Sequence, residues 1–122
     1  MDEAGLQTLY GILRGIARDR GTRSYTQLSE LYRDRTGVWI EPHGGWDWPL
    51  DAVNKRLEAA GLPPLSAVVV DQRAGEPGGG FWNTVARTRQ VAPRNAAERR
   101  LEHAVILNEV YVAAWPPALP AG

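Results

Sequence analysis

The chain has 122 residues, with 14 Lys or Arg and 14 Asp or Glu, so its formal net charge at pH 7 is zero. That length predicts a single domain with one modest core. The chain contains no cysteine, which excludes disulfides, a thiolate zinc site and a cysteine nucleophile. Zero net charge excludes a uniformly basic nucleic-acid coat and a polyanion. A hydrophobic content of 43% argues against global disorder.

The basic residues are concentrated in two segments. Residues 14–35 hold six arginines and three acids, a net charge of +3, and residues 73–100 hold six arginines and two acids, a net charge of +4. Lys55 is the only lysine. Arginine suits bidentate contacts with phosphate and carboxylate, although a GC-rich genome also favours arginine codons.

No secretory signal or membrane anchor is predicted. The first residues are Met-Asp-Glu, acidic rather than basic, and the longest apolar stretches, such as residues 67–70, are only a few residues long. A helix needs about 20 apolar residues to cross a bilayer. We therefore expect a cytoplasmic protein without a membrane partner.

Two helices are predicted in the first third of the chain. Apolar residues recur at helical spacing over residues 3–19. Ser24 and Gln27 then form a capping-box pattern. This pattern predicts a second helix over residues 25–35, ended by Gly37.

Two further helices are predicted by their caps. Asp47 would cap a third helix, which has Pro49 in its first turn and ends at Gly61. Asn95, with Glu98 at the third position, would cap a last helix. A pair of prolines would stop that helix near residue 116.

A β-hairpin is predicted between the third and last helices. Residues 65–71 include three consecutive valines, which favour a strand. Residues 72–80 contain four glycines and one proline, a composition typical of a turn. Phe81 and Trp82 would begin the return strand.

Residues 37–49 hold three of the five tryptophans, together with three glycines and two prolines. We expect an ordered loop, whose tryptophans either fill the core or offer a stacking surface for a base or a partner. Trp46 lies between two glycines and Asp47. We therefore expect Trp46 to be more exposed than Trp39 and Trp48, and it is the candidate for stacking or partner contact.

The order of the predicted elements is that of a winged-helix domain. The predicted fold class is α+β and winged-helix-like, with a small antiparallel β-hairpin as the wing and a C-terminal helix. We expect a single domain over residues 1–115 and a loose, proline-rich tail over residues 116–122. The long loop between the second and third helices departs from the tight turn of a helix-turn-helix.

The sequence Ser-Tyr-Thr-Gln-Leu at residues 24–28 and the stretch over residues 62–81 carry a family resemblance. They are similar to the helix start and the region after the recognition helix in the DNA-binding domain of alkylguanine-DNA alkyltransferases and alkyltransferase-like proteins. The resemblance implies a winged-helix fold. That family carries a Pro-Cys-His-Arg-Val motif, where this chain has Pro-Leu-Ser-Ala-Val at residues 64–68, so alkyl transfer is not implied. The second stretch also resembles a small bacterial and phage family.

Patterns for catalysis or metal binding are weak. His43 and His103 are far apart in sequence, with no metal-ligand spacing around them. The glycines of residues 75–80 would join two strands, a position that lacks the helix N-terminus a phosphate prefers. Asp71 is expected only to open a turn. We therefore predict no enzyme activity, no cofactor and no metal.

The favoured function is non-enzymatic binding of duplex DNA, with the third helix as the recognition helix. Asn54 and Lys55 on its outward face could read adenine and guanine, whereas Asp51 and Glu58 on the same face oppose phosphate. The arginines near the wing suggest contacts with the DNA backbone. The predicted DNA-binding residues are Arg33, Arg35, Asn54, Lys55, Arg73, Arg87 and Arg89.

On an extended segment, Arg87 and Arg89 would alternate and so share one face.

Two alternative functions are also considered. One is a protein-interaction module on the winged-helix scaffold, including a homodimer through the last helix. The other is an alkyltransferase-like sensor of DNA lesions, which needs a pocket for a flipped base.

Overall fold

Five α-helices surround a short 3₁₀ segment and a two-stranded sheet in the computed structural model, which describes residues 1–122. None of the helices is long and apolar enough to span a membrane. The elements in chain order are α1 (Glu3–Arg18), β1 (Arg23–Ser24), α2 (Tyr25–Thr36), α3 (Asp47–Ala59), the 3₁₀ segment (Leu65–Val68), β2 (Val69–Val70), α4 (Gly79–Arg89) and α5 (Ala96–Val112).

The 3₁₀ segment lies at the centre of the molecule, in contact with α1, α3 and α5. All four of its residues are buried. Helix α1 packs against it with an apolar stripe that includes Leu9, Leu13 and Ile16. The apolar spacing of residues 3–19 is therefore explained by burial, and α1 is confirmed with its end at Arg18.

Local caps fix the boundaries of α2 and α5. The Ser24 hydroxyl accepts the Gln27 backbone N–H at 3.1 Å, and the Gln27 side-chain oxygen accepts the Ser24 N–H at 2.9 Å. Gly37 ends α2 with φ +78°, a conformation glycine adopts without strain. Asn95 Oδ1 accepts the Glu98 N–H at 2.9 Å, as predicted. The prediction for Asp47 is wrong, because it is the first helical residue of α3 and caps nothing.

The predicted hairpin wing is wrong. β2 pairs with β1 in parallel, so that Val69 lies opposite Arg23, and the expected strand over residues 65–71 is reduced to two residues. The glycine-rich stretch leads into α4 rather than into a return strand. Helix α4 buries Phe81, Thr84 and Val85 on one side, and this helical spacing outweighs the strand preference of the individual residues.

The C-terminal residues 116–122, expected to be loose, instead lie across α1 and α3. The Leu119 side chain is buried, and its backbone N–H and C=O both bond to the Gln7 side-chain amide, at 2.9 and 3.0 Å. Arg56 Nε donates to the Pro120 carbonyl at 2.6 Å. With the bond from the Tyr10 hydroxyl to the Pro116 carbonyl at 2.6 Å, one apolar anchor and four hydrogen bonds attach a segment whose prolines predicted only an end to α5.

The Arg56 guanidinium also joins α3 to α1. It donates two hydrogen bonds to the Glu3 carboxylate, at 2.7 and 2.9 Å, and these lower the pKa of Glu3 to about 2. A carboxyl group with a lowered pKa stabilises the fold above its ordinary pKa, and the effect disappears as the pH falls through the folded-state pKa.

We therefore expect Glu3→Gln to destabilise the protein at neutral pH and to have no effect near pH 2. The difference from wild type should decline as the pH falls from about 4.5 to about 2. Urea unfolding at a series of pH values measures it. Glu30→Gln, at an exposed residue without an ion pair, is the control. A Glu3→Gln difference of equal size at both ends of the range would contradict the role of the ion pair.

Candidate nucleic-acid interface

The structure does not bring the seven predicted DNA-binding residues together. Asn54 is only 3% exposed. Its Nδ2 donates to Ser66 Oγ at 2.7 Å, and its Oδ1 accepts the Ser66 backbone N–H at 3.3 Å. Both ends of the amide are thus used to hold α3 against the 3₁₀ segment. The prediction that Asn54 faces a DNA groove is wrong.

The outward face of α3 is neutralised by ion pairs within the chain. Lys55 lies 3.0 Å from Asp51, one turn away on the same helix. Arg87 of α4 lies 3.3 Å from Glu58 and 3.9 Å from Asp51. The acids that opposed DNA binding and the two cations that supported it therefore compensate one another.

Arg89 is directed to a different helix. Its Nη1 lies 2.7 Å from Glu109 and its Nε lies 3.4 Å from Glu102, both on α5. Residues two apart on a helix point about 200° apart. The expectation that Arg87 and Arg89 share a face on an extended segment is therefore wrong, and each fastens α4 to a neighbouring helix.

Arg33 and Arg35 extend from different sides of α2, because they too are two residues apart on a helix. The Arg33 guanidinium lies 4.9 Å from the centre of the Trp39 ring, a cation–π contact. Arg35 reaches α1, where its Nη1 is 3.8 Å from the position a Cβ on Gly11 would occupy. Arg73 is exposed in the turn after β2. Of the six predicted cations, these three arginines are the ones with no ion pair.

Trp46 is the most buried of the three loop tryptophans, although it was expected to be the most exposed. It is 0% exposed, whereas Trp39 is 44% and Trp48 is 59% exposed. Its Nε1–H donates to Ser29 Oγ at 2.8 Å, and its ring meets Tyr32 edge-on at 5.5 Å. The glycines before Trp46 let the loop turn inward, so it is not a candidate for stacking with a base.

The turn after β2 confirms the expectation for Asp71. Its carboxylate accepts the backbone N–H groups of Ala74 and Arg73, and these bonds lower its pKa.

The two histidines lie in different surroundings. His103 is buried and its Nε2 lies 2.8 Å from the Ala67 carbonyl, whereas His43 is exposed in the loop. No three His, Asp or Glu side chains are grouped as a metal ion would need.

The unpaired cations of the chain are concentrated in one region. The ion pairs use one lysine and five arginines, which are Lys55, Arg56, Arg87, Arg89, Arg94 and Arg99. None of them uses the six arginines of residues 14–35. The two arginine-rich segments therefore differ, since four of the six arginines in residues 73–100 are occupied within the fold.

Three of the unpaired arginines gather on α1. Arg14 and Arg18 are one helical turn apart, about 6 Å along the axis. Arg35 joins them from α2 by lying over Gly11, and we call these three residues the α1 arginine surface. The excess charge of residues 14–35 is visible in the sequence, but Arg14 and Arg18 were not among the predicted DNA-binding residues, because a count of charges does not show which ones share a face.

The environment of the α1 arginine surface favours an anion. No acidic residue occurs on α1 from Gln7 to Arg18. Gly15, between the two α1 arginines, faces open space. Arg14 is half-buried and forms no ion pair within the chain.

No family model, curated protein or solved structure matched the chain. The similarity of residues 24–28 and 62–81 to alkyltransferase DNA-binding domains therefore stays a prediction.

Proposed function

We propose that the chain binds duplex DNA through the phosphate backbone, using the α1 arginine surface. The observation that carries the proposal is that Arg14, Arg18 and Arg35 share one face and have no carboxylate partner. Guanidinium groups bind phosphate with two parallel hydrogen bonds. A face with three unpaired guanidinium groups suits a row of phosphates better than it suits a protein partner of mixed charge.

The expected binding is weak in sequence preference. Contacts with phosphate fix the position of a protein on DNA, whereas contacts with base edges specify the sequence. Of the two predicted base readers, Asn54 is bonded to Ser66 of the 3₁₀ segment and Lys55 is paired with Asp51. Affinity should therefore come mainly from the release of counterions and should fall steeply with salt.

Alanine at Arg18 or Arg35 is expected to weaken binding to all duplexes and to reduce the slope of log affinity against log salt by about 1 for each residue. Fluorescence anisotropy with two unrelated duplexes at several salt concentrations measures this. Arg73→Ala is the matched control, since Arg73 is exposed and unpaired but lies outside the surface. Binding that is absent at low salt, or that responds equally to all three variants, would contradict the proposal.

A second candidate function is protein interaction, and the observation that favours it lies on α5. Leu101, Val105 and Val112 are exposed on the side of α5 away from the core. Three large apolar side chains along one helix face are typical of an interaction surface rather than of a solvated helix. None of these residues belongs to the α1 arginine surface, so a partner on α5 would contact different side chains from those proposed to bind DNA.

A further inference from the structure

The exposed side of α5 carries a regular pattern. Leu101 is 69% exposed, Val105 is 44% and Val112 is 63%, and Asn108 between them is also exposed. Successive members of this set are four, three and four residues apart, and we call them the α5 stripe. The opposite side of α5 is held in the core by His103, Ile106 and Val110. The stripe is therefore not required for the fold of one chain.

The spacing and the residue types match a coiled-coil seam. A repeat of four and three residues is the a/d pattern by which two helices pack along their length. In this register Val105 and Val112 occupy a positions, and Leu101 and Asn108 occupy d positions. Valine at a with leucine at d favours two parallel strands. The small residues Ala97 and Ala104 line one edge of the stripe, where they leave room for a second helix.

The charges beside the stripe are already neutralised within the chain. Glu98 forms an ion pair with Arg94, and Glu102 and Glu109 form ion pairs with Arg89. A second copy of the same helix can approach without repulsion between like charges. A basic partner, by contrast, would have to compete with these arginines for the same carboxylates. The charge pattern thus favours an uncharged partner surface, and the same stripe on a second copy provides one.

We propose that a second copy of this chain covers the α5 stripe, with the two α5 helices parallel about a two-fold axis. Asn108 selects this direction. In a parallel pair Asn108 faces Asn108 of the other copy, and the two amides can bond to each other. In an antiparallel pair Asn108 would face Val105, which offers no hydrogen bond. The inference rests on the proposed interaction function of α5 and is independent of DNA binding.

The length of the stripe sets the strength of the expected dimer. Its four residues are spread over 12 positions, with a rise of about 16 Å along the helix. An interface of that length is at the small end of specific interfaces, which are weak and reversible. We therefore expect the mass in solution to rise from one chain to two as the concentration increases. Leu101→Glu should return it to one chain, because the glutamates would face each other at a d position.

Cysteine cross-linking tests the direction of pairing without background, because the chain has no cysteine. In the parallel dimer Leu101→Cys and Val105→Cys should each form a disulfide between two identical chains, since each residue faces its own copy. Ala86→Cys, exposed on α4, is the control and should not. A disulfide found only on mixing Leu101→Cys with Val112→Cys would overturn the parallel arrangement. A chain that stays monomeric at every concentration would overturn self-association.

The rate at which a thiol reagent labels Leu101→Cys distinguishes a failure of self-association from a failure of the proposed interaction function. We expect fast labelling in dilute solution and slower labelling as the dimer forms. Fast labelling at every concentration would overturn self-association while leaving the stripe open to a different partner. Slow labelling of the dilute monomer would show a stripe covered by its own chain and would overturn both.

Discussion

Replacing Trp46 with alanine is expected to lower the free energy of unfolding by about 3–5 kcal/mol. The indole is fully buried, and its loss opens a cavity next to Tyr32. The substitution also removes the donor to Ser29 Oγ, a bond that holds the loop before α3 onto α2. Ser29 itself donates to the Ile40 carbonyl at 2.6 Å, so the same cluster fixes both ends of the loop.

Urea denaturation of Trp46→Ala and Trp48→Ala measures this effect with a matched pair. Trp48 is two residues away and 59% exposed, so its truncation should change the free energy of unfolding by no more than about 0.5 kcal/mol. Trp46→Phe keeps most of the volume and should fall between the two. Equal losses for Trp46→Ala and Trp48→Ala would contradict the burial of Trp46.

Features determined by neighbouring residues could be predicted from the sequence. The capping box of Ser24 and Gln27 and the cap at Asn95 depend on residues three positions apart, and both are confirmed. The stripe of α1 follows from one repeated spacing. Each of these signals lies within a few turns of chain, so no knowledge of the tertiary arrangement was needed to recognise it.

The hairpin could not be predicted because strand pairing is long-range. β2 consists of the last two of three consecutive valines, as strand propensity predicts, but its partner is β1, some 46 residues earlier in the chain. The segment after it contains Phe81, Trp82 and Val85, which suit a strand by composition and a helix by spacing. Packing of this segment against α3 favours the helix, and a single sequence does not show which elements pack together.

The candidate site differs from the predicted one for a similar reason. Whether an arginine is available for phosphate depends on the carboxylates near it in space. Arg87 meets Glu58 from 29 residues away, and Arg89 meets Glu109 from 20 residues away. The sequence shows two basic segments of similar net charge. In the fold, most arginines of residues 73–100 form ion pairs, whereas those of residues 14–35 form none.

Replacing Asn54 with alanine is expected to lower the free energy of unfolding by about 1–3 kcal/mol and to leave DNA affinity unchanged. The substitution leaves the buried Ser66 N–H without an acceptor and removes the donor to Ser66 Oγ. A buried polar group that loses its partner costs more than the hydrogen bond contributes when made. The loss should therefore appear in urea unfolding, whereas the DNA binding proposed for the α1 arginine surface should be the same in the folded variant and in the wild type.

Lys55→Ala separates this structural role from the role in base reading that the sequence suggested. Lys55 is the neighbouring residue on α3, it is exposed, and its pair with Asp51 contributes only about 0.3–0.5 kcal/mol. If α3 reads bases, Asn54→Ala and Lys55→Ala should each lose affinity for one duplex more than for another. Their free energies of unfolding should then equal that of the wild type. The Asn54–Ser66 bond requires the opposite, a loss of stability confined to Asn54→Ala. Because the same amide cannot both hold Ser66 and contact a base edge, these two outcomes exclude each other.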